Sequence, residues 1–320
     1  MRIGALVQNF AGFPDSGRGP RACVDVAVAA EAAGFDSVWV TDHVVLPRQR
    51  TAAYPHNDSG TFPYAWDQDI HEPLVLLGAL ALATTRVEIG TAVLVIPYRH
   101  PLLTAKMLAT ADQLSGGRVV LGAGVGWLRD EFVALGLPDE VWQRRGTVTV
   151  DYLQAMQAAW TAAGTATHHG PFVSFDDVGA FPQPARTPHL PVWIGGKGDQ
   201  ALRRAVRLGQ GYFAIASSPE LLRAEVARLH EIAYDAGRDP AELTVALIDG
   251  ISFTDRPLGA GRAPLHGTPE QVAEGVAAFA SAGLQHLVAG VRIAGDPTLD
   301  GALEALRRAA EVVVPAARAC

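Results

Sequence analysis

The run Thr41-Asp42-His43 closes an apolar stretch and sets a carboxylate beside an imidazole at the end of what reads as a strand. An imidazole there can give or take a proton near neutral pH, and a neighbouring acid can orient it. The plain alternative is a strand-end histidine facing water, one of ten histidines in the chain. A second constellation is Pro191-Val192-Trp193-Ile194-Gly195-Gly196-Lys197-Gly198, followed by Asp199 and a helical stretch bearing Arg203, Arg204 and Arg207. Glycines ahead of a helix start let backbone N–H groups approach a phosphate, and the helix dipole favours an anion there. The alternative is a tight turn with Lys197 in water. As a Schiff-base nucleophile Lys197 is a poor choice, because its glycine neighbours deny the amine the burial that such chemistry needs. His168-His169 lies in a Gly/Thr-rich stretch without partner ligands and reads as a solvated pair. The signatures of zinc hydrolases, serine hydrolases, nucleoside triphosphatases and calcium sites are missing from the sequence.

These residues need a scaffold, and the apolar pattern supplies one. Short β-branched runs alternate with longer Ala/Leu segments of helical period, the signature of βα units around a parallel sheet. Strands are expected at Ile3 to Phe10, Ser37 to Thr41, Val87 to Val95, Val119 to Gly122, Val192 to Ile194, Gly211 to Ile215, Thr244 to Ile251 and His286 to Val291. Helices are expected at Arg21 to Ala33, His71 to Thr84, Pro101 to Leu114, Leu128 to Leu135 continued by Thr147 to Thr161, Gln200 to Leu208, Pro219 to Ala236, Pro269 to Ala282 and Leu299 to Val313. Glycines 34, 209 and 283 each sit just past a helix, as a C-terminal cap would. Eight such units predict one (β/α)8 barrel spanning 1–320, and a dinucleotide-binding sheet lacks its fingerprint. Val44 to Ile70, Ala162 to Pro191 and Ser252 to Thr268 are long connections. The first and third follow strands two and seven and so belong over the C-terminal mouth, where barrels of this type keep their active sites. Phe10, Phe13, Tyr64 and Trp66 from the first loops are expected to wall that mouth.

Composition narrows the function classes. At 320 residues and 49% hydrophobic content the chain can bury a large core without metal or disulfide staples. A formal net charge of −7 and the lack of a basic run argue against nucleic acid as a partner. Lys106 and Lys197 are the two lysines among 26 basic residues, the rest being arginine. Cys23 and Cys320 are too far apart in sequence to suggest a disulfide framework, and a reducing, cytoplasmic setting is expected. The N-terminus enters its first strand without a signal-peptide pattern, and the uncharged run Pro73 to Thr85 is too short to span a bilayer.

The strand ends also carry a resemblance. Gly34 to Pro47, Glu72-Pro73-Leu74, Arg86 to Val93, Leu114 to Arg118, Leu121 to Trp127, Asp130-Glu131-Phe132, Arg145-Gly146 and Trp193 to Gly196, in this order, resemble the luciferase-like monooxygenase superfamily. Within it they are most similar to the branch that uses the deazaflavin coenzyme F420. The resemblance implies that Asp42 and His43 stand beside the reactive ring, with the histidine as acid or base, and that Ala92-Val93 is a non-prolyl cis peptide backing that ring. It implies further that Gly195, Gly196, Lys197 and Gly198 cradle the cofactor phosphate. Trp127, Asp130 and Glu131 fall where relatives line the pocket or hold the cofactor tail, although Trp127 and Glu131 read equally well as packing residues. Bacterial luciferases carry a cysteine and an arginine where this chain has Gly124 and Val125, which points away from a luciferase-type reaction. The implied activity is hydride transfer between F420 and a small organic substrate such as an alkene, imine, ketone or alcohol. Its alternative is an FMN-dependent monooxygenase that uses O2 and a partner flavin reductase. Relatives are often homodimers.

Overall fold

The computed structural model describes residues 1–10, 13, 16–50, 52–54, 60–291 and 298–320. In chain order the strands are β1 (Arg2–Leu6), β2 (Ser37–Val40), β3 (Glu88–Thr91), β4 (Leu94–Val95), β5 (Val119–Gly124), β6 (Thr165–His169), β7 (Ser174–Gly179), β8 (Val192–Gly195), β9 (Gly211–Ala214), β10 (Thr244–Phe253), β11 (His266–Gly267) and β12 (His286–Val291). The helices are α1 (Arg21–Ala32), α2 (Pro73–Ala83), α3 (Pro101–Ser115), α4 (Arg129–Ala134), α5 (Asp139–Gln143), α6 (Arg145–Thr161), α7 (Asp199–Leu208), α8 (Pro219–Asp235), α9 (Pro269–Ser281) and α10 (Leu299–Ala319).

Parallel pairing runs β1-β2-β3-β5-β8-β9-β10-β12, and β12 returns to β1 through the register Arg2↔His286 to Ala5↔Ala289. The sheet is therefore a closed eight-stranded (β/α)8 barrel, as the alternating pattern predicts. Its strands are buried on both faces, which is why they read as continuous apolar runs. Four helices open with a capping side chain followed by proline: Glu72-Pro73, His100-Pro101, Ser218-Pro219 and Thr268-Pro269, the last closed into a capping box by Gln271. Gly34 and Gly283 end helices with φ of 90° and 101°, the left-handed geometry that favours glycine. Gly209 differs: its backbone is extended, and it is small because an added Cβ would lie 3.0 Å from the Val192 carbonyl oxygen.

Inward-pointing aromatics fill the barrel. Trp39, Trp193 and Phe213 pack with centroids 5.1 to 5.4 Å apart. Gly4, Gly90 and Gly211 make room for them, since a Cβ at any of the three would fall within 2.7 Å of an indole or of Ser37. Beneath lies His286, fully buried, with Nε2 2.7 Å from Ser37 Oγ; that oxygen also accepts from Trp39 Nε1 at 2.7 Å. Burial pushes the His286 imidazole down to about 3, helped by the nearby Arg2.

The connections depart from expectation in three places. The fourth unit carries α4, α5 and α6 where two segments are expected. The stretch after it holds an antiparallel hairpin, β6 with β7, pinned by Asp151 of α6, which accepts from Phe172 N and Val173 N and meets His168 Nε2 at 2.7 Å. His168 is thus a half-buried tether, and His169 alone is the exposed member, 3.0 Å from Asp176. After strand seven, β11 pairs with the end of β10 and extends the sheet over the mouth. No described helix is long and apolar enough to cross a membrane, and no described cluster of His, Cys, Asp and Glu could hold a metal.

Candidate active site

Two ladders end side by side at the mouth, and their last residues separate the roles of Asp42 and His43. Asn9, buried, fixes the exit from β2: its Oδ1 accepts from the Thr41 N–H and hydroxyl at 2.9 Å, and its Nδ2 donates to the carbonyls of Thr41 and His71. The Asp42 carboxylate turns to Arg99, which donates to both its oxygens at 2.8 Å and also meets Glu72 at 2.7 Å. Val95 N donates to Asp42 as well, at 2.8 Å. Burial pushes the Asp42 carboxyl up while the guanidinium opposes that shift. Asp42 therefore does not orient His43, contrary to the reading from adjacency; among the described residues its carboxylate accepts from Arg99 and Val95.

The partner of His43 is Glu131, 88 positions later in the first turn of α4, with Nδ1 and Oε2 2.6 Å apart. Glu131 is fully buried and collects three further donors: the Tyr98 hydroxyl at 2.9 Å and the N–H groups of Val44 and Val45 at 2.5 and 3.2 Å. Burial, with Glu131 beside it, pushes the Tyr98 phenol far up, so it stays a donor. A carboxylate so surrounded accepts only, so the proton on Nδ1 is directed to it and the tautomer is set. Proton exchange with a ligand then falls to Nε2. Sequence reasoning placed Glu131 at the pocket without this role; its one signal is an acid buried among the apolar neighbours of a short helix.

Beside the dyad, the Ala92–Val93 peptide bond is cis. Val93 lies over two glycines: a Cβ at Gly124 would sit 2.5 Å from its Cγ2, and one at Gly195 3.0 Å from its Cγ1. Ala92, Val93, Gly124 and Gly195 thus form a smooth apolar bed across β3, β5 and β8. Next to it the glycine turn adopts φ of 139° at Gly196 and 76° at Gly198, and the Tyr212 hydroxyl holds the Gly196 carbonyl at 2.9 Å. No side chain caps α7, whose first N–H groups remain available to an anion. Lys197 is exposed. Arg204, from the second turn of α7, reaches back between the turn and α6: a Cβ at Gly196 would lie 3.7 Å from its Nη2 and one at Gly146 3.3 Å from its Nη1. The Arg204 Nε is buried without a hydrogen-bond partner among the described residues. A flat ring with a phosphate-bearing side arm fits this donor set, the ring on the bed and the phosphate at the turn.

Aromatic rings roof His43. Phe10, Phe62 and Trp127 lie 5.4, 5.2 and 5.8 Å from its ring, and Tyr54 and Tyr64 extend the group. The described part of the 44–70 connection therefore covers the dyad; residues 51 and 55–59 of that expected lid lie outside the described residues. Of the four aromatics expected here, Phe10 and Tyr64 take part. Phe13 packs in the main core, and Trp66 is exposed beneath Arg48. Asp130 is half-buried in the first turn of α4.

Comparison with known proteins agrees with this geometry. The chain is 36% identical over 220 residues to an uncharacterized protein of Mycobacterium tuberculosis, covering 68% of this chain and 76% of the relative. It is 34% identical over 210 residues to an F420-dependent glucose-6-phosphate dehydrogenase of Microbacterium testaceum, covering 63% and 55%. It is 33% identical over 156 residues to an FMNH2-dependent dimethylsulfone monooxygenase of Pseudomonas putida, covering 49% and 42%. The fold of an F420-dependent secondary alcohol dehydrogenase solved with an F420-acetone adduct superposes with a TM-score of 0.78 at 20% identity, covering 99% of both chains. The family model for luciferase-like monooxygenases matches residues 1–257, and the chain belongs to that family of oxidoreductases and monooxygenases.

Proposed function

We propose that this chain is an F420-dependent oxidoreductase that moves a hydride between the deazaflavin and a small organic substrate, with His43 as its acid or base. The observation that carries the proposal is the buried His43–Glu131 dyad under an aromatic roof, beside the bed formed by Ala92 and Val93. The deazaflavin, when bound, supplies two-electron hydride chemistry at its ring.

The chain's own residues do the rest. Glu131 holds the His43 ring and its tautomer, leaving Nε2 to give a proton to, or take one from, a carbonyl, imine, alkene or alcohol substrate. Phe10, Phe62 and Trp127 exclude water and favour an apolar or aromatic substrate. Asp42, through Arg99 and Val95, positions the backbone just beyond the Ala92–Val93 bond and is a positioning residue. The glycine turn, with Lys197 at its edge, and the first turn of α7 hold the phosphate, and Trp127 and Asp130 border the site from the α4 side. As a protein partner we propose a second copy of this chain. α2 is apolar on every side and leaves Val75 and Leu82 67% and 71% exposed, and the adjoining α3 exposes Leu103. Sedimentation of the wild type against a Val75→Glu/Leu82→Glu variant tests it.

The function itself is tested by titrating the purified protein with F420 and, separately, with FMN, then mixing the reduced complex with candidate substrates under nitrogen and under air. Tight binding of F420 with oxygen-independent turnover is expected. Preference for FMN with turnover only in oxygen would replace this reading by the monooxygenase one, with a flavin reductase as partner.

A further inference from the structure

The glycine turn is held from behind by a phenol that has one hydrogen and two acceptors within reach. Tyr212 of β9 packs in the main core, on the opposite strand face from the barrel-filling Phe213. Its hydroxyl lies 2.9 Å from the Gly196 carbonyl oxygen and 3.2 Å from Oε2 of Glu225, on α8. Burial, then the neighbouring Glu225, push the phenol far up, so it keeps its hydrogen. That one hydrogen cannot serve both oxygens fully. With Glu225 ionised, one of the two contacts sets lone pair against lone pair. With Glu225 protonated, the acid donates to Tyr212 Oη, Tyr212 donates to Gly196, and each contact has its own hydrogen.

The surroundings favour the second arrangement. Glu225 is half-buried, and burial pushes its carboxyl up against the opposing pull of Tyr212, the Ile215 N–H and the Lys197 charge. Lys197 is exposed, so water screens what it offers. The charges at the start of α7 and further along α8 bond to one another: Arg228 donates to Asp199 at 2.6 and 3.1 Å and to Glu231 at 2.7 Å. What the network holds is the peptide that joins Gly196 to Lys197. That unit is planar and trans, so its N–H points opposite to its carbonyl. Tying the Gly196 carbonyl to Tyr212 therefore aims the Lys197 N–H away from the core. The turn also packs on α7, since a Cβ at Gly196 would lie 3.0 Å from the Ala201 Cβ.

We propose that Glu225 is a positioning residue that works as an acid rather than a carboxylate: through Tyr212 it fixes the Gly196–Lys197 peptide, and anion affinity at the glycine turn falls when its proton is lost to solvent. On ionisation the Tyr212 hydrogen swings to the carboxylate, the stronger, charge-assisted bond, and the Gly196 carbonyl is released. Resting on the reading of the turn as the phosphate site, this assignment couples proton and anion reciprocally. An anion bound above the Glu225 midpoint draws a proton onto the acid.

The test follows the unliganded turn and the bound anion separately. The backbone amide resonances of Gly196, Lys197 and Gly198 are tracked against pH in isotope-labelled wild type, Glu225→Gln and Tyr212→Phe, then again with sulfate, which stays a dianion throughout. Both substitutions keep the shape of the side chain, and melting curves check that they fold. In the wild type the three amides should shift together with a midpoint above 4.5, the ordinary value for glutamate, and sulfate affinity should fall about fivefold across it. Neither variant should show that shift. Sulfate affinity should stay at the tighter level in Glu225→Gln, whose amide always donates, and at the weaker level in Tyr212→Phe, which transmits nothing. Turn amides that hold still in the wild type or shift alike in all three proteins, or a wild-type sulfate affinity independent of pH, overturn the role of Glu225 and leave the phosphate reading standing. Sulfate that perturbs the turn at no pH overturns both.

Discussion

Two buried histidines stand at opposite ends of one barrel, and their partners separate a chemical group from a packing group. His286, at the floor, meets a hydroxyl through Nε2 and leaves Nδ1 without a partner among the described residues; a proton arriving there would find no carboxylate of theirs bonded to the ring. His43, at the mouth, meets the carboxylate of Glu131, so a proton gained there lands beside a negative charge. Burial beside a hydroxyl disfavours the charged form of His286, whereas the Glu131 carboxylate fixes the orientation of the His43 ring. The surroundings agree. The floor is packed by indoles against glycines, while the mouth is roofed by loop aromatics packed edge to face and tilted over His43.

Breaking the mouth's charge compensation should produce the largest change. Asp42→Asn leaves Arg99 with Glu72 alone and is expected to cost about 3 kcal/mol of stability in denaturant titration, where Ser37→Ala at the floor costs about 1 kcal/mol. Next comes Glu131→Gln, which keeps the shape of the dyad but loses its charge. It should slow single-turnover hydride transfer about a hundredfold while cofactor affinity stays as in the wild type; an unchanged rate would reduce Glu131 to a packing residue.

The floor makes its own prediction through pH. His286 titrates at about 3 in the folded chain and near 6.5 when unfolded, so between those values the unfolded chain binds the extra proton. Its contribution to stability is complete above pH 6.5 and declines by about 1.4 kcal/mol per unit as pH falls towards 3. Urea titrations across that window should show the slope, and His286→Asn should flatten it without altering activity measured at neutral pH. The smallest contrast is between two aromatics of one loop. Phe62→Ala, which opens the roof over His43, should raise KM several-fold, whereas exposed Trp66→Ala should stay within about 0.5 kcal/mol in both stability and binding.

How far the sequence reveals such differences depends on the range of the interaction. The barrel is legible because each βα unit writes its own local periodicity, and the mouth follows from where the strands end. The Thr41-Asp42-His43 run is legible as a site for the same reason. Its internal wiring is not, because Asp42 and His43 lie past the end of β2, where no strand alternation sets their directions, and their partners come from Arg99 and Glu131, far away in the chain. Loop aromatics are equally opaque: Phe62 and Trp66 lie four residues apart, and tertiary packing decides which one faces His43. Arg204 reads as one of three arginines on a helix until the fold brings Gly146 and Gly196 to either side of it.

The central claim is that His43 exchanges the substrate proton, and the most direct measurement is single-turnover transfer in His43→Ala with the deazaflavin prebound. Normal cofactor affinity, a rate lowered about a hundredfold or more, and partial recovery on adding imidazole are the predicted result. A His43→Ala protein that binds the cofactor and transfers hydride at the wild-type rate would contradict it.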